Sequence, residues 1–247
     1  MLTAEENETL TRIGPGTPMG ELLRRFWLPA LLDDEVPQPD CEPMRTRILG
    51  EDLVAFRDTN GKVGIVSAFC PHRRAPLFFG RNEECGLRCV YHGWKFDVDG
   101  TCVDMPSEPP ESNFKDKIQL AAYPTYEAGG VVWIYMGPRE RQPERPPALP
   151  FTLVPKEERS NVKFLVEASF LQNLEGELDT AHVSYLHSFL QDDGSLNNLV
   201  RKDGYENDRH PRLTVIETDY GFVYGGRRTK PSGDYYWRVT QYLLPIY

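Results

Sequence analysis

The chain has 247 residues, enough for one large domain or two ordinary ones, and its 40% hydrophobic content can bury a real core, which sets a disordered chain aside. A formal net charge of -9 argues against nucleic acid or an anionic membrane surface as partner, since both call for clustered Lys and Arg. The opening MLTAEENETLTRIGPG is acidic where a signal peptide is basic and then apolar, and no later run approaches a membrane span, so a cytoplasmic protein with a small-molecule or protein partner is expected.

Two helical pieces are predicted near 4–12 and 18–27, separated by Gly14-Pro15-Gly16-Thr17, with Thr17 placed to cap the second. From about 44 the pattern changes to short strands. MRTRILG and DLVAFRD lead into the turn signal Asn60-Gly61, and VGIVSAF then runs straight into Cys70. Asp99-Gly100 after WKFDV is a second turn signal, and VVWIYMG closes the β-rich region. The proline-rich RERQPERPPALP reads as a linker. Beyond it are predicted a strand (VKFLVEA), a helical stretch near 169–187, an irregular region at 188–210 and three strands, RLTVIETD, FVYGGRRT and YYWRVTQYLLPIY, the last still strand-like at Tyr247. Three such strands leave an edge and half a core uncovered, so this second domain reads as unfinished.

The chemistry lies in the cysteines and histidines. Cys41, Cys70, Cys85, Cys89 and Cys102 are an odd number, and in a reducing compartment purposeful spacing favours metal ligation over disulfides. Four of the five histidines fall in two tight clusters, His72 with His92 and His182 with His187.

Cys70-Pro71-His72 and Cys89-Val90-Tyr91-His92 form two tight loops at strand ends. Two thiolates on one iron and two neutral imidazoles on the other make a Rieske [2Fe–2S] cluster, whose potential lies at about -150 to +300 mV because imidazoles remove negative charge. A Cys2His2 zinc site uses the same residue types but groups its cysteines and its histidines separately. The loops CPHRRAPL and CVYHGWKFDVDG resemble those of the Rieske domain of non-haem iron oxygenases, over about 44–136. The disulfide-forming cysteines of cytochrome-complex Rieske proteins are missing, and Cys85 and Cys102 are read as buried free thiols.

In QNLEGELDTAHVSYLH, Asp179 stands three residues before His182, one helical face. His182 and His187 are five apart, roughly 140° around a regular helix, so both can bind one metal only across a break or a π-type turn. The stretch looks like the mononuclear iron segment of the same oxygenases, Asp-x-x-His-x-x-x-x-His. The resemblance implies that His182 and His187 are ligands of a mononuclear Fe(II), joined by one carboxylate from a downstream stretch that this chain does not contain. Glu175, Glu177, Asp192 and Asp193 do not occupy that position, so the chain is expected to be the N-terminal portion of the protein. Asp179 is implied as the bridge for electron transfer to the Rieske histidine equivalent to His92 in a neighbouring subunit.

The opening MLTAEENETLTRIGPGTPMGELLRRFW and the run NLEGELDTAH are similar to the phthalate-dioxygenase branch. That implies a homotrimer or a multiple of trimers, an NAD(P)H-dependent flavin and iron–sulfur reductase as partner, and O2 with an aromatic substrate, often an aromatic acid. Arg209, Arg227 and Arg228 are candidate acid anchors, or ordinary exposed charge. The expected fold is α+β: a helical segment (1–40), an all-β antiparallel Rieske domain (41–140), a linker (141–150), and at 151–247 part of a helix-grip-type antiparallel sheet plus helix catalytic domain. The expected activity is that of a terminal oxygenase component in aromatic catabolism, by hydroxylation or demethylation. The alternative is a Rieske ferredoxin, a carrier without a substrate site.

Overall fold

The computed structural model describes residues 2–187, 204 and 207–247, and the chain packs as two units, Met1–Leu165 and Val166–Tyr247. Both are built on antiparallel strands with short helices, the α+β class expected.

Capping chemistry explains where the first two helices start. Thr3 caps α1 (Ala4–Thr11) in a reciprocal box with Glu6, and Thr17 caps α2 (Pro18–Leu23), whose first residue is a proline already set to helical φ. The second helix is shorter than predicted. By Trp27 the chain has become β1 (Trp27–Leu32), a strand the sequence reading missed because Pro29 interrupts its apolar pattern.

There follow β2 (Met44–Ile48), β3 (Glu51–Arg57), β4 (Val63–Ser67), β5 (Arg81–Glu83), β6 (Gly86–Arg88), β7 (Lys95–Phe96), β8 (Cys102–Asp104), β9 (Ala122–Tyr123), β10 (Thr125–Ala128) and β11 (Val131–Tyr135). They form three antiparallel sheets, ordered β1-β11-β10, β2-β3-β4-β9 and β5-β6-β7-β8. β1 tolerates its proline at a sheet edge, where the register with β11 shifts between Pro29 and Leu31. Asn60-Gly61 and Asp99-Gly100 are turns as expected, with Gly61 and Gly100 taking φ of 83° and 80°.

Val54 and Phe56 from β3, Val66 from β4, Leu87 from β6 and Phe96 from β7 share one core, and Cys70, Cys89 and Cys102 belong to it. The first candidate site thus grows directly out of the packed interior. Residues 139–165 are tied to the same unit: Trp27 Nε1 donates to the Pro143 carbonyl (3.0 Å), Phe151 lies over Trp133, Asn161 donates to the Gly129 carbonyl (2.7 Å) and Lys163 pairs with Glu35. VKFLVEA is not the strand predicted, because no strand pairs beside it among the described residues, and Phe164 and Leu165 are exposed.

The second unit holds α3 (Phe170–Leu178), α4 (Val183–Leu186), β12 (Arg212–Thr218), β13 (Gly221–Thr229) and β14 (Tyr235–Leu243), the strands in that order in one antiparallel sheet. The helix predicted over 169–187 is two pieces, and the last strand ends at Leu243 because the chain turns there. Tyr224, Gly226 and Arg228 are buried on one face of β13, while Ile216, Trp237 and Val239 are exposed.

Leu87→Ala removes a fully buried side chain from this core, and urea unfolding followed by tryptophan fluorescence is expected to show a loss of about 2–5 kcal/mol. A loss well below about 1 kcal/mol would mean the site collapses freely and the core is not packed as described.

Candidate metal centres

Cys70 and Cys89 each open the same turn. The Cys70 N–H donates to the Ala75 carbonyl and the Arg74 N–H to the Cys70 carbonyl, both at 2.9 Å; the Cys89 N–H donates to the Trp94 carbonyl at 2.8 Å and the Gly93 N–H to the Cys89 carbonyl at 3.0 Å. The fifth residue is left-handed in both, with φ of 58° at Arg74 and 77° at Gly93. CPHRRA and CVYHGW share only the cysteine, so this equivalence was not legible in the sequence. Histidine is third in one loop and fourth in the other.

The turns bring all four predicted residues to one place, cysteines inward and histidines at the half-buried rim. The His72 and His92 rings lie 4.4 Å apart between two aromatics, Trp94 stacked on His72 (4.5 Å, 7°) and Tyr91 over His92 (3.9 Å). Trp94 is itself held by its Nε1–H to Ser107 Oγ (3.1 Å).

Burial, with the Cys89 thiol alongside, pushes the Cys70 thiol up to about 11, against the pull of the His72 and Arg73 amides. Burial keeps the Cys70 thiol protonated until a cation compensates it, so loading a metal there releases a proton. Burial, and then His92, holds His72 below its ordinary value, in the neutral form a metal requires. His72 Nδ1 is buried without a hydrogen-bond partner, an orphan that a metal–nitrogen bond would satisfy. Paired thiols and paired imidazoles therefore fit a [2Fe–2S] group. No three His, Cys, Asp or Glu side chains among the described residues are grouped as a single-ion site.

Arg88 braces the second loop from behind, a role the sequence reading did not identify. Its Nη1 donates to the Gly93 carbonyl (2.7 Å) and Asp104 (2.6 Å), and its Nε to Glu83 (2.6 Å). Cys102 is the buried free thiol expected, whereas Cys85 is only half-buried, accepting from Asn60 Nδ2 (3.1 Å).

The second cluster sits at a helix break. α3 ends at Leu178, and Asp179 is its extended cap, not a helical residue sharing a face with His182. The Asp179 carboxylate accepts from the Ala181 N–H (2.7 Å), the His182 N–H (3.1 Å) and His182 Nδ1 (3.1 Å). Burial pushes this carboxyl up, but those two amides and the ring outweigh it and hold it low. An anionic Asp179 accepts a hydrogen bond from Nδ1–H and so leaves Nε2 of His182 as the nitrogen available to a metal. The break lies before His182 rather than between the histidines. α4 begins after His182 and ends before His187, whose φ of -99° and ψ of 13° leave the helix, and the rings come to 5.2 Å. No π-turn is needed. Asp192 and Asp193 lie outside the described residues, and Glu175 and Glu177 remain on α3.

The three arginines separate. Arg209 is exposed, 5.5 Å from the Tyr185 ring, and Arg227 lies 4.3 Å over Tyr235. Arg228 is fully buried and bonded to Thr180, so it is neither exposed charge nor a substrate anchor.

Residues 26–125 match the Rieske [2Fe-2S] domain family and residues 134–247 the family described as LigXa C-terminal domain like. The chain is 46% identical to the phthalate 4,5-dioxygenase oxygenase subunit of Pseudomonas putida, over 92% of this chain and 53% of that protein. It is 43% identical to the 3-chlorobenzoate-3,4-dioxygenase oxygenase subunit of Comamonas testosteroni (100% and 56%) and 40% identical to the 5,5'-dehydrodivanillate O-demethylase oxygenase subunit of a Sphingobium species (91% and 51%). It spans about half the length of these relatives. Solved structures of similar fold include dicamba monooxygenase (TM-score 0.61, 22% identity, 84% of this chain and 56% of that one) and NdmA of Pseudomonas putida (0.59, 20%, 90% and 66%). These findings define a Rieske iron–sulfur protein, and a zinc module is set aside. The chain belongs to the Rieske non-haem iron oxygenases, among the oxygenase subunits related to phthalate dioxygenase.

Arg88 holds Asp104 low, and Arg81 and Arg88 hold Glu83 low. These carboxylates bind fewer protons folded than unfolded, so their stabilisation is present above the ordinary carboxylate range and fades as pH falls through the depressed values. Arg88→Met is expected to cost about 1–3 kcal/mol at neutral pH, largely from the Gly93 carbonyl it strands, and to flatten the acid side of the stability curve below about pH 4. Urea midpoints from pH 7 to 3 test this, and parallel curves for the two proteins would refute it.

Proposed function

We propose that this chain is part of the terminal oxygenase component of a multi-component system, with Cys70, His72, Cys89 and His92 holding the Rieske cluster and His182 and His187 holding a mononuclear Fe(II). When bound, these groups would supply one-electron transfer and dioxygen activation. The observation that carries the reading is the joint presence of the paired thiol–imidazole site and the Asp179–His182–His187 turn. A ferredoxin-type carrier has no use for the second.

The residues' own tasks follow from their placement. Cys70 and Cys89 keep the inner side dry, and His72 and His92 present the rim through which electrons leave. Asp179 orients His182 and, in a trimer, bridges to the histidine equivalent to His92 of a neighbouring subunit. A carboxylate completes the iron's ligand set in this reading. The substrate is an aromatic compound, with an aromatic acid favoured by the names of the phthalate and chlorobenzoate relatives, and the reaction is hydroxylation or demethylation. Arg209, beside Tyr185 of α4, is the acid anchor that the arrangement favours. Electrons come from an NAD(P)H-dependent flavin and iron–sulfur reductase. Free cysteines suit a cytoplasmic setting, and no helix among the described residues is long and apolar enough to cross a membrane.

Iron and acid-labile sulfide per chain, with the EPR spectrum of the reduced protein, test the assignment. In the full-length oxygenase, His182→Ala should abolish second-site iron and turnover while the Rieske signal persists. Asp179→Asn should keep cluster iron and lower turnover about 10- to 100-fold. Undiminished substrate-dependent oxygen uptake in either variant would refute the roles given.

A further inference from the structure

The buried face of β13 carries two neighbouring residues that meet the turn between α3 and α4. Arg228 is fully buried; its Nη1 donates to Thr180 Oγ1 (3.1 Å), its Nη2 to the Thr180 carbonyl (2.5 Å) and Ser184 Oγ (3.5 Å), and its Nε to the Asp208 carbonyl (3.1 Å). Gly226, two residues earlier on the same face, gives the turn its room: a Cβ there would stand 2.8 Å from Thr180 Cγ2. Thr180 and Ser184 are themselves buried, and they bracket His182. Asp208 is fixed from the other side, its carboxylate accepting from the Thr229 N–H (2.8 Å) and the His210 N–H (3.0 Å).

We propose that Arg228 and Gly226 are positioning residues for the iron-binding turn, seating Thr180 and Ser184 on the sheet so that His182 keeps its place against Asp179 and His187. The inference rests on the mononuclear iron reading for its purpose, but the seating itself is a property of the chain. α4 is only four residues long, so it cannot fix its own orientation. A guanidinium fork spanning a carbonyl and two hydroxyls fixes both position and rotation, which a lysine's single ammonium point does not.

The test uses the full-length oxygenase as wild type, Arg228→Met, Arg228→Lys and Gly226→Ala. Two readouts are taken: Fe(II) affinity with the EPR of the nitrosyl adduct at the second site, and hydrogen exchange of the peptide over 181–186. Rieske EPR and exchange in β12–β14 report whether each variant has folded. Expected are Fe(II) binding weakened at least about tenfold in Arg228→Met, partial recovery in Arg228→Lys, a broadened nitrosyl signal, and faster exchange confined to 181–186. Wild-type affinity, nitrosyl signal and exchange in Arg228→Met and Gly226→Ala would overturn the proposal. Absence of second-site iron in the wild type would overturn the functional reading instead, and the exchange data would then decide the seating alone. If Arg228→Met fails to fold, Gly226→Ala decides by the same readouts.

Discussion

Two thiols buried side by side in an apolar core cannot both ionise without a compensating positive charge, and much of the first unit's architecture answers that constraint. Cys70 and Cys89 are drawn from the same packed cluster as Phe56, Leu87 and Phe96, so the site's inner wall is the core itself. The protein supplies backbone amides from the first loop and leaves the rest to a metal group. Imidazoles at the outer rim, in place of two further thiolates, would give a ligand set with low total charge, which suits a cluster that gains and gives back single electrons.

Arginines used inside the fold, rather than on its surface, are a second recurring device. Arg24 donates to the Leu49 carbonyl, Arg57 to those of Val36 and Gly61, Arg88 to that of Gly93, and Arg228 to that of Thr180. Each spans a loop whose carbonyls have no strand partner, and several also engage a carboxylate. In a chain with excess acidic residues, these forks convert irregular backbone into fixed positions. The second cluster loop and the turn carrying His182 are held this way.

The sequence made the candidate residues easy to pick out, the cluster four by their spacing and the Asp179, His182 and His187 set by its resemblance to a family segment. Cys-x-His, Cys-x-x-His and Asp-x-x-His-x-x-x-x-His needed no structure to locate. The supports were not legible. Arg88 and Arg228 look like any other arginine until their burial is known, and GGRR in β13 gives no sign that one arginine is stacked on an exposed tyrosine while its neighbour is fully buried. Helix length failed after Leu23, where pairing of β1 with β11 overrode local propensity, and at Asp179, where the chain leaves the helix. VKFLVEA failed for a related reason: β-propensity makes no strand without a neighbour to pair with.

The two cluster loops, though alike in hydrogen bonding, differ in mutational tolerance. In the second, Gly93 is locked, since a Cβ would come 2.6 Å from Pro106 Cγ as well as meeting an unfavourable φ. In the first, the same left-handed position already carries Arg74, its guanidinium 4.8 Å from the Phe69 ring, and the chain bears the roughly 1–2 kcal/mol that an L residue costs there. One copy of the turn is therefore open to sequence drift and engineering, and the other is closed.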